Sequence, residues 1–157
     1  MIVSTKWVET SIREERLVDT AQYLLKDLDG EKRLKVNLAR SLARAKENNG
    51  KLLEGQAVFS AAGVHGGYEV CRKIVEANGG VCVMFKSQKK LANVPDSEIL
   101  VLLSGDGPND KKLWPKFQGM AQAAGKESAI YKSDWILEMA MNQEVVWSEK
   151  YNVESSR

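Results

Sequence analysis

From residue 56 onward, dense apolar runs alternate with longer amphipathic ones. Ile99-Leu100-Val101-Leu102-Leu103 is apolar without alternation, the pattern of a parallel strand covered on both faces. Gln56 to Ser60, Val81 to Phe85 and Ala129-Ile130-Tyr131 are short runs rich in apolar residues and predict three more strands. Between them, Val70, Cys71, Ile74 and Val75 place an apolar side on a helix from Tyr68 to Asn78, ended by Gly79-Gly80. A second helix runs from about Lys111 to Ala124 and stops at Gly125; its Pro115 fits only in a first turn, which moves the start later than Lys111. A third spans Ser133 to about Asn142. The order strand, helix, strand, strand, helix, strand, helix predicts an α/β fold, a four-stranded parallel sheet flanked by helices.

Ahead of this domain the pattern is helical. Asn37 is placed to cap a helix through about Asn48, with Leu38, Leu42 and Ala45 on one face and Gly50 as the left-handed stop. Arg40 and Arg44 lie close together on it and read as solvated charges before they read as an anion site. Glu14 to Val36 mixes charge with Tyr23-Leu24-Leu25 and Leu34, a linker that packs in places.

One segment occurs twice. Val3-Ser4-Thr5-Lys6-Trp7-Val8, followed by Leu17-Val18, returns 128 positions later as Tyr131-Lys132-Ser133-Asp134-Trp135-Ile136, followed by Val145-Val146. Each copy reads as a strand end, a Ser or Thr placed to cap a helix, and a Trp on the first turn. The first copy is therefore expected to be the last helix of a preceding domain, with its apolar face docked on the complete one.

Composition narrows the function. With 43% hydrophobic and 28% charged residues in 157, the chain can bury one core of ordinary size. No run approaches the roughly 18 apolar residues of a membrane span, and the Met1-Ile2-Val3 start lacks the pattern of a signal peptide. Cys71 and Cys82 fall within apolar patterns, as in a reducing compartment. Residues 1–51 carry 11 Lys/Arg against 8 Asp/Glu and residues 52–157 carry 12 against 13, which argues against DNA binding.

The chemistry of an enzyme is missing from the pattern. The single His65 stands six residues from Cys71, but Cys71 lies in a helical apolar stripe with no third group to orient a nucleophile. Asp106-Gly107-Pro108-Asn109-Asp110 lacks the spacing of a calcium loop and reads as a turn. Zinc and nucleotide-phosphate motifs do not occur. The expectation is no enzyme, no cofactor and no metal.

Leu53-Glu54-Gly55-Gln56-Ala57-Val58-Phe59-Ser60, Ile74-Val75-Glu76-Ala77-Asn78-Gly79-Gly80 and Ser133-Asp134-Trp135, in this order of elements, resemble the BRCT family. Thr5-Lys6-Trp7 matches the same family's C-terminal helix. The resemblance divides the chain into 1–18, the end of a preceding and mostly absent repeat; 19–50, an inter-repeat linker with a helix; and 51–157, a complete repeat. Ser41-Leu42-Ala43-Arg44-Ala45-Lys46, Leu52-Leu53-Glu54-Gly55 and Gln143-Glu144-Val145-Val146-Trp147 look similar to the C-terminal pair of fungal multi-BRCT scaffolds of the DNA-damage response. The resemblance implies a nuclear module that, with its preceding repeat, reads a phosphorylated protein or peptide, including a phosphorylated core-histone tail. A BRCT domain that holds a phosphorylated DNA end, or a purely structural interaction domain, are the other readings it leaves.

The family's phosphate pocket takes a Ser/Thr followed by Gly at the end of the first strand and a Lys on the second helix; the matching positions are Ser60 and Lys116, with Ala61 in place of the Gly. Pairs of this kind hold phosphate in the first repeat. In the second, Val64, His65, Gly66, Gly67 and Leu137 match positions that line the groove for the residues following the phosphate.

Overall fold

The structure, a computed structural model, describes residues 3–87 and 93–153. The parts of the expected segments 1–18 and 51–157 that fall on 1–2, 88–92 and 154–157 lie outside the described residues. In chain order the elements are α1 (Thr5–Arg13), α2 (Leu28–Leu34), α3 (Leu38–Asn48), β1 (Ala57–Ser60), α4 (Tyr68–Ala77), β2 (Val81–Met84), β3 (Ile99–Leu103), α5 (Pro108–Lys111), α6 (Trp114–Ala123), β4 (Glu127–Tyr131) and α7 (Asp134–Asn142), with 3-10 turns at Ala21–Tyr23 and Glu149–Tyr151.

The four strands form one parallel sheet in the order β2-β1-β3-β4. Alternation along β3 explains its unbroken apolar run. Val101 and Leu103 enter a core with Val58, Cys71, Val75, Trp135 and Ile136, whereas Leu100 and Leu102 enter a second core with Phe59, Phe85, Phe117 and Ile130. Successive side chains of a strand point to opposite faces, so a strand covered on both sides has no polar positions to spare. In the second core Phe59, Phe85 and Phe117 meet edge to face at centroid distances of 5.2–6.1 Å. Gly79-Gly80 closes α4 because the linker passes there: Gly79 has φ +82°, and a Cβ on it would stand 2.8 Å from the Gly50 carbonyl oxygen.

Several local expectations change. The helix expected from about Lys111 starts at Trp114, later than Lys111 as Pro115 in its first turn predicts, and a separate short helix, α5, precedes it where only a turn was expected. The stop of α3 is Asn49, itself left-handed at φ 48°, with Gly50 behind it. Val70 points to solvent instead of joining the apolar side of α4. Helix α2 has no counterpart among the expected elements; Asp27 caps it through Gly30 N at 2.9 Å. Asn37 caps α3 through Arg40 N at 2.8 Å, as its position predicts.

The Ser caps of the repeated segment are not used. Neither Ser4 nor Ser133 makes a side-chain cap bond, because the backbone closes the first turn: Trp7 N donates to Ser4 O and Trp135 N to Lys132 O. The duplication also extends further than the sequence shows. Trp7 Nε1 donates to Val18 O at 2.8 Å and Trp135 Nε1 to Val146 O at 3.0 Å, each 11 residues on. Ser4 N donates to Tyr23 O and Lys132 N to Tyr151 O; Val3 bridges Leu24 and Tyr131 bridges Asn152. One hydrogen-bonded frame thus occurs at residues 3–24 and again at 131–152.

Helix α3 is tied to the end of α7. Arg44 donates to Asn142 O at 3.3 Å and pairs with Glu144 at 2.8 Å; Asn48 donates to Gln143 O at 3.0 Å. These donors satisfy last-turn carbonyls that have no partner within the helix. The apolar face of α1 is not docked on the repeat as expected: Ile12 is 72% exposed, and the hydrogen bonds of α1 run to residues 18–23.

Candidate functional site

The loop after β1 carries Val64, His65, Gly66 and Gly67, while Ser60 ends β1, Lys116 lies on α6 and Leu137 on α7. Ser60 ends β1 and is fully buried; its hydroxyl donates to Ala61 O at 3.2 Å. Ala61 is buried as well, and its N–H is spent on Leu103 O at 2.8 Å. A phosphate at this point would need that N–H and an open approach. Lys116 sits in the first turn of α6 and is exposed, so the candidate hydroxyl and ammonium occupy opposite environments, one dry and one wet.

The groove candidates separate in the same way. Val64 belongs to the core beside Trp135 and Ile136. Gly66 and Gly67, at φ +85° and +83°, make the turn into α4, a conformation that side chains rarely adopt. His65 is exposed and lines a cavity of about 320 Å³ with Ser104, Asp106, Lys132 and Asp134 at the ends of β3 and β4. Leu137 is exposed on α7, one turn before the equally exposed Met141. The structure thus joins His65 to the loops after β3 and β4, keeps Val64 in the core, and leaves Leu137 on the outer face of α7.

The other titratable groups point to structure. Burial holds the Cys71 thiol above its usual range, and burial again, with a contribution from Cys71, pushes Cys82 up to about 12. Both remain thiols at neutral pH, without the thiolate a nucleophile needs. Among the described residues no group of three His, Cys, Asp or Glu is placed to hold a metal, and no helix is long and apolar enough to cross a membrane.

In the sequence Asp110 belongs only to an expected turn. In the structure it is buried on α5, its carboxylate between the loops after β1 and β3. No sequence signal marks it, since its partners are backbone N–H groups.

A parallel sheet of order 2-1-3-4, with α4 and α7 on one face and α6 on the other, is the BRCT fold. The chain is 26% identical over 160 residues to BRCT-containing protein 1 of Schizosaccharomyces pombe, a match that covers 99% of this chain and 18% of that protein. It therefore spans less than a fifth of that relative. Its fold is similar to the crystal structure of the BRCT5-BRCT6 domains of S. pombe Brc1, with a TM-score of 0.67 and 23% identity over 99% of this chain and 73% of that one. It is also similar to Rtt107p in a complex with a phosphorylated histone, with a TM-score of 0.55 and 12% identity over 96% and 64% of the two chains. No family model matches the chain.

Proposed function

We propose that residues 1–18 are the end of a preceding BRCT repeat, 19–50 the linker and 51–157 the second repeat of a pair, and that the pair reads a phosphorylated peptide within a nuclear DNA-damage-response scaffold. The observation that carries this reading is the frame at 3–24. It duplicates the terminal frame of the complete repeat, yet Val8 is 49% exposed where its counterpart Ile136 is fully buried. A frame of this kind is completed by a sheet, and the sheet of a preceding repeat is the occupant that fits. Exposed Val70 on α4 and Met141 on α7 offer further apolar surface for that repeat.

The ligand class rests on likeness. Rtt107p, which shares the fold, is in a complex with a phosphorylated histone, and a phosphorylated core-histone tail is the ligand proposed here. The closed surroundings of Ser60 favour phosphate recognition by the preceding repeat, with His65, Gly66, Gly67 and Leu137 left to contact the residues that follow. BRCT domains are in general interaction modules without enzymatic activity, and this one is proposed to work as such, with no cofactor.

The experiment titrates a serine-phosphorylated histone-tail peptide and its unphosphorylated twin into this chain and into one extended by a whole N-terminal repeat. Phosphate-dependent binding at micromolar or better affinity is expected only of the extended chain, since contacts to the following side chains alone rarely offset the ordering of a flexible peptide. Micromolar phosphate-dependent binding by the shorter chain, abolished by Ser60→Ala or Lys116→Glu, would move the pocket into this repeat. Equal binding of both peptides by the extended chain would end the phosphopeptide reading.

A further inference from the structure

The sheet order places the chain's change of direction between β1 and β3: from β1 it crosses to the β2 edge, and from β3 to the β4 edge. Ligands of open parallel sheets lie in the crevice at such a point, where loops on both sides offer free backbone N–H groups. In this repeat the crevice is filled from within. Asp110, 5% exposed, accepts from Gly63 N in the loop after β1 at 3.2 Å and from Gly105 N in the loop after β3 at 2.9 Å, one carboxylate oxygen to each. A Cβ on Gly63 would stand 2.6 Å from that carboxylate, and one on Gly105 would overlap the Gly63 carbonyl oxygen. Position 105 thus requires glycine, since its obstacle is backbone, whereas a side chain at Gly63 would have to displace the carboxylate itself.

We infer that the N–H groups of Gly63 and Gly105 form a latent oxyanion site at the switch point, that the Asp110 carboxylate is its built-in occupant, and that Asp110 thereby excludes phosphate from this repeat. Two oriented amides, one to each oxygen of a single carboxylate, are the kind of donor arrangement that backbone anion sites use. A phosphate brought to them would meet a buried carboxylate of its own sign, which a dry site strongly disfavours. The inference needs neither the proposed pairing of repeats nor a histone ligand, and it can fail alone.

The test vacates the site. Asp110→Ala and the native chain are melted in chloride, inorganic phosphate and formate at matched ionic strength, and the Gly63 and Gly105 amide resonances are followed through the same titrations. The variant is expected to melt several degrees lower in chloride, because two buried N–H groups lose their partner. Phosphate and formate should recover much of that loss and shift both glycine resonances, while the native chain shows neither response. A variant that answers the three anions as the native chain does, with both resonances still, overturns the inference and leaves Asp110 as a latch between loops. Phosphate-induced shifts of the two glycines in the native chain overturn it as well. If Asp110→Ala does not fold in chloride, refolding in phosphate or formate becomes the readout: recovery of the native circular dichroism supports the site, and failure overturns it.

Discussion

The frames at 3–24 and 131–152 share their bridge, their 3-10 turn and their Trp-to-carbonyl bond, yet differ in what covers them. In the second frame Trp135 and Ile136, and Val153 just after it, are buried against the sheet and its neighbours. In the first, Trp7 is half-buried, Val8 is exposed, and Leu25 is 46% exposed where Val153 is 5%. Val18 runs the other way, buried where Val146 is exposed. The lesson is that short-range hydrogen bonds are specified by some twenty consecutive residues, whereas burial depends on partners elsewhere. The frame forms without its cover.

Truncating the two tryptophans is the most severe way to test this contrast. Trp135→Ala should cost roughly 3–5 kcal/mol, since it empties the site of the largest fully buried side chain, and that is a large part of a small domain's stability. Trp7→Ala should cost about 1 kcal/mol, mainly its hydrogen bond to Val18. Denaturant midpoints measure both, and equal losses would mean that the first frame is covered after all. Next in size, Ile136→Ala should cost roughly 2–5 kcal/mol and Val8→Ala within about 0.5 kcal/mol. In a chain extended by the proposed preceding repeat, the Val8 cost should rise toward that of a buried valine; an unchanged value would show that no sheet lies on it.

A smaller effect is expected where the linker meets the second frame. Arg44→Ala removes the bond to Asn142 and the pair with Glu144, and should cost about 1 kcal/mol by chemical denaturation. The smallest is a pH effect confined to the second frame. Its Glu138 takes bonds from Lys150 and Tyr151, both at 2.7 Å, and the Lys150 ammonium first, then the Tyr151 hydroxyl, hold the carboxyl below its ordinary value of 4.5. A folded value below the unfolded one means stability that is present above pH 4.5 and is lost as pH falls through the folded value. The side chain is substantially exposed, so the loss should be roughly 0.5 kcal/mol or less. Glu138→Gln should flatten stability against pH below 4.5. The first frame has Thr10 at the equivalent position, and Thr10→Ala should leave that slope alone.

Much of the fold was legible because its signals are local. The unbroken run of β3, the stripe of Cys71 and Val75 and the capping Asn37 each carry their meaning within a few residues. Helix α2 gives no such signal because Leu28 to Leu34 has no apolar stripe and contains Gly30, where a Cβ would overlap the Asp27 side chain that caps it. Val70 misleads because helical spacing ranks residues around an axis without saying how wide the covered face is. The surroundings of Ser60 were half legible: Ala61 marks the departure from a phosphate-binding pattern, but the Asp110 carboxylate reaches Gly63 from 47 residues away, and no spacing announces it.

The bonds from Arg44 and Asn48 to the end of α7 also have a mechanical meaning. Tension arriving along α3 enters the repeat at two mounts, through the backbone into β1 and sideways into the last turn of α7. A beam held at two mounts transmits torque as well as pull, so α3 acts as a strut whose angle is set by the domain it leads to. Under a stretching force the strut should peel away in one small step before the sheet yields, and until that step anything carried ahead of Asn37 is aimed as well as attached.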